Sequence, residues 1–155
     1  MTVRVQREDF DVGAEIAAVR AGDLSVGGVA SFIGTVREMA GGEAISAMTL
    51  EHYPGMTEKM LGAIEAEAQG RWPLAGSLII HRYGRLEPGD QIVLVVTASA
   101  HRDAAFESCR FLMDWLKTKA PFWKREDTPD GGRWVEAQES DDVAAARWGA
   151  NAPTE

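Results

Sequence analysis

The stretch from Gln91 to Pro121 constrains the fold more than any other part of this chain. Gln91 to Ser99 (QIVLVVTAS) is its most continuous apolar run, the pattern of a central strand. Arg102 to Lys119 follows at once, with Ala105, Phe106, Cys109, Leu112, Met113 and Leu116 on one helical face. Pro121 ends that helix, because its ring clashes with the preceding turn and it has no N–H to donate.

The other segments surround this unit. Val3–Val5 reads as a first strand, and Val12–Arg20 as a helix with Val12, Ile16 and Val19 on one side. Gly28–Val36 (GVASFIGTV) is apolar, rich in β-branched residues and glycine-flanked, which predicts a buried strand. Arg37–Glu43 is a polar loop, and Ile45–Glu51 alternates as a strand. Pro54 opens a helix to about Gly70 with Met56, Met60, Leu61, Ile64 and Ala68 as its apolar stripe. Leu78–Tyr83 is the next strand, and Glu87–Asp90 a turn. Phe122–Glu126 and Arg133–Ala137 form a hairpin around Asp127–Gly132. No repeat is visible. Strands and helices mix without strict βαβ alternation, so the expected class is α+β with a largely antiparallel sheet.

A chain of 155 residues fits one domain, taken as residues 1–148 with a flexible tail over 149–155. Its net charge of −8 argues against a general nucleic-acid binder, which needs a basic surface. The single cysteine, Cys109, rules out an intramolecular disulfide and a multi-cysteine zinc site. The opening MTVRVQREDF has no apolar signal core, and no run approaches the ~20 residues of a membrane span, so a cytoplasmic protein is expected.

Against that acidic background, Lys117-Thr-Lys-Ala-Pro-Phe-Trp-Lys-Arg125 holds four cations and no acid. Lys117 lies beside the helix's apolar stripe, four residues after Met113, whereas Lys119 points elsewhere. Pro121 bends the chain and brings Lys124 back toward Lys117. Two lysines against apolar walls suit an anion or a proton transfer; a solvated patch offsetting the helix dipole is the plainer alternative. His101-Arg102 opens the long helix, where free N–H groups and the two side chains would complete a phosphate pocket, unless they only shape the turn. Arg37 follows a strand and precedes Gly41-Gly42, a place suited to gripping a ligand or simply to solvent. His52 and His81 lack metal-ligand spacing and read as packing residues, as does Cys109 among Phe106, Leu112 and Met113.

Five segments in order carry a resemblance. They are LEHYPGMTEK (50–59), His81-Arg82 with Pro88-Gly89-Asp90, SAHR (99–102), KTKAPFWKRE (117–126) and RWVEA (133–137). Together they resemble the large, catalytic subunit of molybdopterin synthase, over about Gly28 to Trp148. The resemblance implies an α/β hammerhead with an additional antiparallel β subdomain. It implies insertion of two sulfurs into cyclic pyranopterin monophosphate, with no metal or other cofactor. The sulfur comes as a thiocarboxylate on the C-terminal glycine of a small ubiquitin-like subunit, and the large subunits form a homodimer within a heterotetramer. By the same resemblance Lys117 and Lys124 are catalytic, Arg37, His101 and Arg102 bind substrate and its phosphate, and Phe32 and Met113 line the pocket. The loop Glu38-Met39-Ala40 and Gln138 depart from the pattern. Two rival expectations are a non-catalytic module that docks a Gly-Gly tail in the basic cleft and a different enzyme acting on a phosphate ligand.

Overall fold

The computed structural model describes residues 2–40, 42–135 and 139–149, and only the backbone at 139–141. Gly41, Gln138, the end of the expected strand Arg133–Ala137 and the tail from residue 150 lie outside these residues. The elements in order are β1 (Thr2–Gln6), α1 (Val12–Arg20), β2 (Gly28–Thr35), β3 (Met39–Ala40), β4 (Glu43–Ala44), β5 (Ala47–His52) and α2 (Met56–Arg71). There follow β6 (Leu74–Arg82), β7 (Gly84–Leu86), β8 (Gln91–Ser99), α3 (Arg102–Lys119), β9 (Phe122–Thr128), β10 (Gly131–Val135) and α4 (Glu139–Ala146).

One four-stranded sheet runs β1-β6-β8-β2 and a second runs β10-β9-β5-β7, with β3-β4 a short separate hairpin. Among the described residues only the β1–β6 pair is parallel. The mixed helices and largely antiparallel strands are the α+β class expected from the sequence.

β8 is central because both its faces are covered. Leu94 and Val96 join Phe10, Leu78 and Ile80 beneath Val12, Ile16 and Val19 of α1. Val93 and Val95 meet Leu61, Ile64 and Ala68 of α2 and Phe111, Leu112 and Leu116 of α3 on the opposite face. This is why β8 reads as a continuous apolar run rather than an alternating one. Asp11 caps α1 by accepting from the Ala14 N–H at 2.9 Å. The second sheet has its own small core of Val36, Met48, Leu50 and Leu86.

Four local expectations need correction. β2 is the edge of its sheet rather than a buried strand, with Val29, Phe32 and Ile33 36–43% exposed. Phe106 is 65% exposed, because it falls outside the arc of α3 that meets the sheet. Pro54 precedes α2, whose cap is Gly55 at φ 85°, with the Glu58 carboxylate accepting from the Gly55 N–H. The 122–135 hairpin has a tighter turn, since its pairing reaches Thr128↔Gly131. Helix α4 was not foreseen. It brings Trp148 onto the core, where its Nε1–H donates to Asp114 at 2.7 Å.

Candidate active site

Where the two sheets meet the end of α3, they enclose a cavity of about 1060 Å³. β9 supplies one wall by simple alternation. Phe122, Lys124 and Glu126 line the cavity, while Trp123 and Arg125 face outward and are exposed. Lys117 enters from the last turn of α3, with Leu116 and Ala120 beside it. Phe32 and Thr35 of β2, then Arg37, form the opposite side. Met48 and Leu50 of β5 and Ile92 and Val93 of β8 add apolar surface.

Four residues singled out from the sequence therefore come together: Lys117, Lys124, Arg37 and Phe32. Three do not line the cavity. Met113 is buried one turn above Lys117 and belongs to the core between α3 and the sheet. His101 and Arg102 stand at the opposite end of α3 and are exposed. Fifteen residues separate Arg102 from Lys117, or ~22 Å of helix.

Sequence reasoning missed three ionisable lining residues, Glu126, Arg133 and His81. Glu126 was legible in principle, since a strand through Lys124 must turn residue 126 to the same face. It is buried, with Arg133 Nε 3.7 Å from its Oε1. Arg133 also donates to the Ala40 carbonyl at 3.2 Å and to Glu43 at 3.4 Å, tying β10 to the short hairpin beside the cavity. His81 had no local signal. Its ring stacks on Phe122, centroids 3.7 Å apart, and its Nδ1 lies 2.8 Å from the Arg82 carbonyl oxygen. Burial, then the nearby Lys117 and Lys124 charges and His52, pushes its pKa down to about 3 despite the Arg82 bond.

The lining thus carries four cations, Arg37, Lys117, Lys124 and Arg133, against one carboxylate, Glu126. Such a cavity suits an anion bearing an apolar or aromatic body. Lys119 lies outside it, its Nζ 6.0 Å from the Trp115 ring centroid. His52 packs beside Phe122, ring centroids 6.0 Å apart, and hydrogen-bonds Thr57 at 3.0 Å. Burial raises the Cys109 thiol to about 11, which suits a small core hydrophobe rather than a nucleophile. Among the described residues no group of three or more His, Cys, Asp or Glu is placed to hold a metal, and no helix is long and apolar enough to cross a membrane.

Comparison with known proteins adds four findings. The family model described as "MoaE protein" matches residues 5–119. The molybdopterin synthase catalytic subunit of Ralstonia nicotianae is 60% identical over 148 residues, covering 96% of this chain and 84% of that one. The solved molybdopterin biosynthesis MoaE protein of Burkholderia ambifaria superposes with a TM-score of 0.83 at 56% identity, over 97% of this chain and 99% of that one. A further structure, the complex of subunits 1 and 2 of the molybdopterin-converting factor of Helicobacter pylori, shares the fold with a TM-score of 0.70 at 19% identity, covering 88% and 90%.

Proposed function

This chain belongs to the MoaE family of molybdopterin synthase catalytic subunits, and on that premise we propose that its cavity is where cyclic pyranopterin monophosphate receives two sulfurs. The observation that carries the reading is that Lys117 and Lys124, from different elements, open onto one cavity with Arg37 and Phe32. A non-catalytic docking module is not favoured, since the relatives that match almost the whole chain are catalytic subunits.

In this reading the sulfur donor is the C-terminal thiocarboxylate of a small ubiquitin-like subunit, whose Gly-Gly tail threads toward Lys117. Glycine suits such a passage because it carries no Cβ. The sulfur attacks a carbon of the pterin side chain, forming a C–S bond as the oxygen on that carbon leaves as water and giving a thioester; a second water then cleaves the acyl–sulfur bond, so that the acyl group leaves as a carboxylate and the sulfur stays on the pterin. Lys117, on the rigid helix, accepts and returns the proton in these steps. Lys124 stays cationic and stabilises the oxyanion on the acyl carbon. A second loaded small subunit repeats the sequence. The reaction is placed in the cytoplasm.

Substrate binding by His101 and Arg102 requires a second copy of the chain. The edge strand β2 is apolar and, among the described residues, has no strand on its outer side, as a strand paired across a two-fold axis would. Gly28 at its start packs under Arg102; a Cβ there would lie 3.3 Å from the Arg102 Cα. Thr35 at its end lines the cavity. Antiparallel pairing of two β2 strands about their midpoint sets residue 28 of one beside residue 35 of the other. The strand spans ~23 Å over those seven steps, close to the ~22 Å that separates Arg102 from Lys117. His101 and Arg102 of one protomer would then reach the phosphate end of its partner's cavity.

The test is incubation of the protein with thiocarboxylated small subunit and cyclic pyranopterin monophosphate, followed by mass spectrometry. A product with two added sulfurs is expected. Tail binding without any sulfur on the pterin would overturn the reading.

A further inference from the structure

The part of the cavity wall between Arg37 and Ile45 is pinned at its two ends by main-chain bonds. The Val36 N–H donates to the Asp90 carbonyl at 2.9 Å, and the Ser46 N–H to the Asp127 carbonyl at 2.9 Å. Val36 and Ile45 are both buried. Between them the chain turns out into the β3–β4 hairpin, whose base is closed by the Ile45 N–H on the Glu38 carbonyl at 2.8 Å. Met39 and Ala40 of this hairpin line the cavity, although Met39 is exposed. A ribbon with two residues in each strand is not stable by itself, so its position depends on what reaches it from elsewhere in the fold.

Arg133 reaches it from β10. Arg133 stands directly opposite Glu126 of β9, so the two side chains share the cavity face of their sheet. The buried Glu126 carboxylate holds one edge of the guanidinium, with Oε1 3.7 Å from Nε. The other edge points to the hairpin, where Nη1 donates to Glu43 at 3.4 Å and Nη2 to the Ala40 carbonyl at 3.2 Å. Ala40 and Glu43 are partners across β3–β4, so one guanidinium grips both strands. A carboxylate on each side largely neutralises its charge within the wall. A planar fork of donors can span three acceptors in this way, whereas an ammonium is a single point of charge.

We propose that Arg133 is a positioning residue, a brace that holds the β3–β4 hairpin against β9 and β10 and so sets the width of the cavity where Met39 and Ala40 meet the apolar part of the pterin. Arg37 stands between the pinned Val36 and the hairpin, so the same brace also governs where that guanidinium stands. The inference rests on the proposed function in taking a pterin as the occupant. The brace itself is read in protein without substrate.

The test measures sulfur insertion and amide hydrogen exchange in wild type, Arg133→Gln, Arg133→Lys and Arg125→Gln. In Arg133→Gln the KM for cyclic pyranopterin monophosphate should rise about tenfold with kcat changed less than about threefold, the pattern of lost binding rather than lost chemistry. Arg133→Lys should stay within about twofold of Arg133→Gln, because returning the charge does not return the fork. Arg125→Gln removes a cation from the outer face of the same sheet and should leave KM as in wild type. Without substrate, the Ile45 amide should exchange about fivefold faster or more in Arg133→Gln, while the amides of β8 keep their wild-type protection. Wild-type KM in Arg133→Lys would mean that Arg133 acts by charge alone, and overturns the proposal. So does an Ile45 amide indifferent to Arg133→Gln.

Glu43→Ala covers the case in which the β10 variants do not fold, since Glu43 is exposed on the hairpin. It should raise KM about threefold, quicken Ile45 exchange, and add nothing further when combined with Arg133→Gln. No change in either quantity, or full additivity, also overturns the brace. A wild type that inserts no sulfur would instead strike the proposed function, and the exchange rates would still decide the brace.

Discussion

Phe122 lies face to face on the His81 imidazole, with ring centroids 3.7 Å apart and planes 17° from parallel. The stack seals a histidine whose pKa falls from 6.5 to about 3. The unfolded chain takes up that proton near 6.5 and the folded chain only near 3, so His81 imposes no penalty above 6.5 and a growing one as pH falls below it. At pH 5 the loss is about 2 kcal/mol. Urea unfolding at pH 8 and pH 5 should show it, and His81→Phe should remove most of this difference. An equal pH dependence in the variant would contradict the assignment.

The two lysines should respond differently to arginine. Lys117→Arg keeps the charge but loses a titratable amine, so its turnover should fall nearly as far as in Lys117→Ala, by about 10²-fold or more. Lys124→Arg should retain more activity than Lys124→Ala, because charge is what Lys124 supplies. Single-turnover sulfur transfer checks both. Near-normal activity in Lys117→Arg would leave Lys117 an electrostatic role only.

If each site is shared between copies, two inactive proteins should rescue one another. Lys117→Ala and Arg102→Ala chains, mixed by refolding together, should form mixed dimers with one complete site. Random pairing then gives about one quarter of wild-type activity at subsaturating substrate. A mixture no more active than its components would place Arg102 and Lys117 in the service of the same chain or of none.

Removing the last two residues of the small subunit should abolish product even where its globular part still binds in a pull-down. Full turnover with the shortened partner would show that the sulfur does not enter on a Gly-Gly tail.

Much of the fold was legible because its periodicities are strong. The bounds of α1 and α3 follow from apolar spacing and the stop at Pro121, and β8 from its unbroken apolar run. β2 was misread for a physical reason: Val29, Phe32 and Ile33 look like core in a sequence, which cannot tell a covering helix from a bare edge. Helix α4 was missed because its ESDDVAAA carries little apolar periodicity. Lys117 and Lys124 were found together because only a helix end and Pro121 separate them. His81 reaches them through the packing of β6 against β9, a long-range relation with no local pattern.

The cation-lined cavity has a kinetic consequence in a chain whose net charge is −8. A phosphorylated pterin far from the protein meets a repulsive field, and only near the mouth does it meet Arg37, Lys117, Lys124 and Arg133. Dilute salt, whose screening length is ~30 Å at 0.01 M, weakens mainly the distant repulsion, whereas ~0.15 M salt, at ~8 Å, also damps attraction at the mouth. The capture rate should therefore rise and then fall with ionic strength. Acidity over the body of the protein keeps stray anions away, and the lysines at the cavity admit the one that fits.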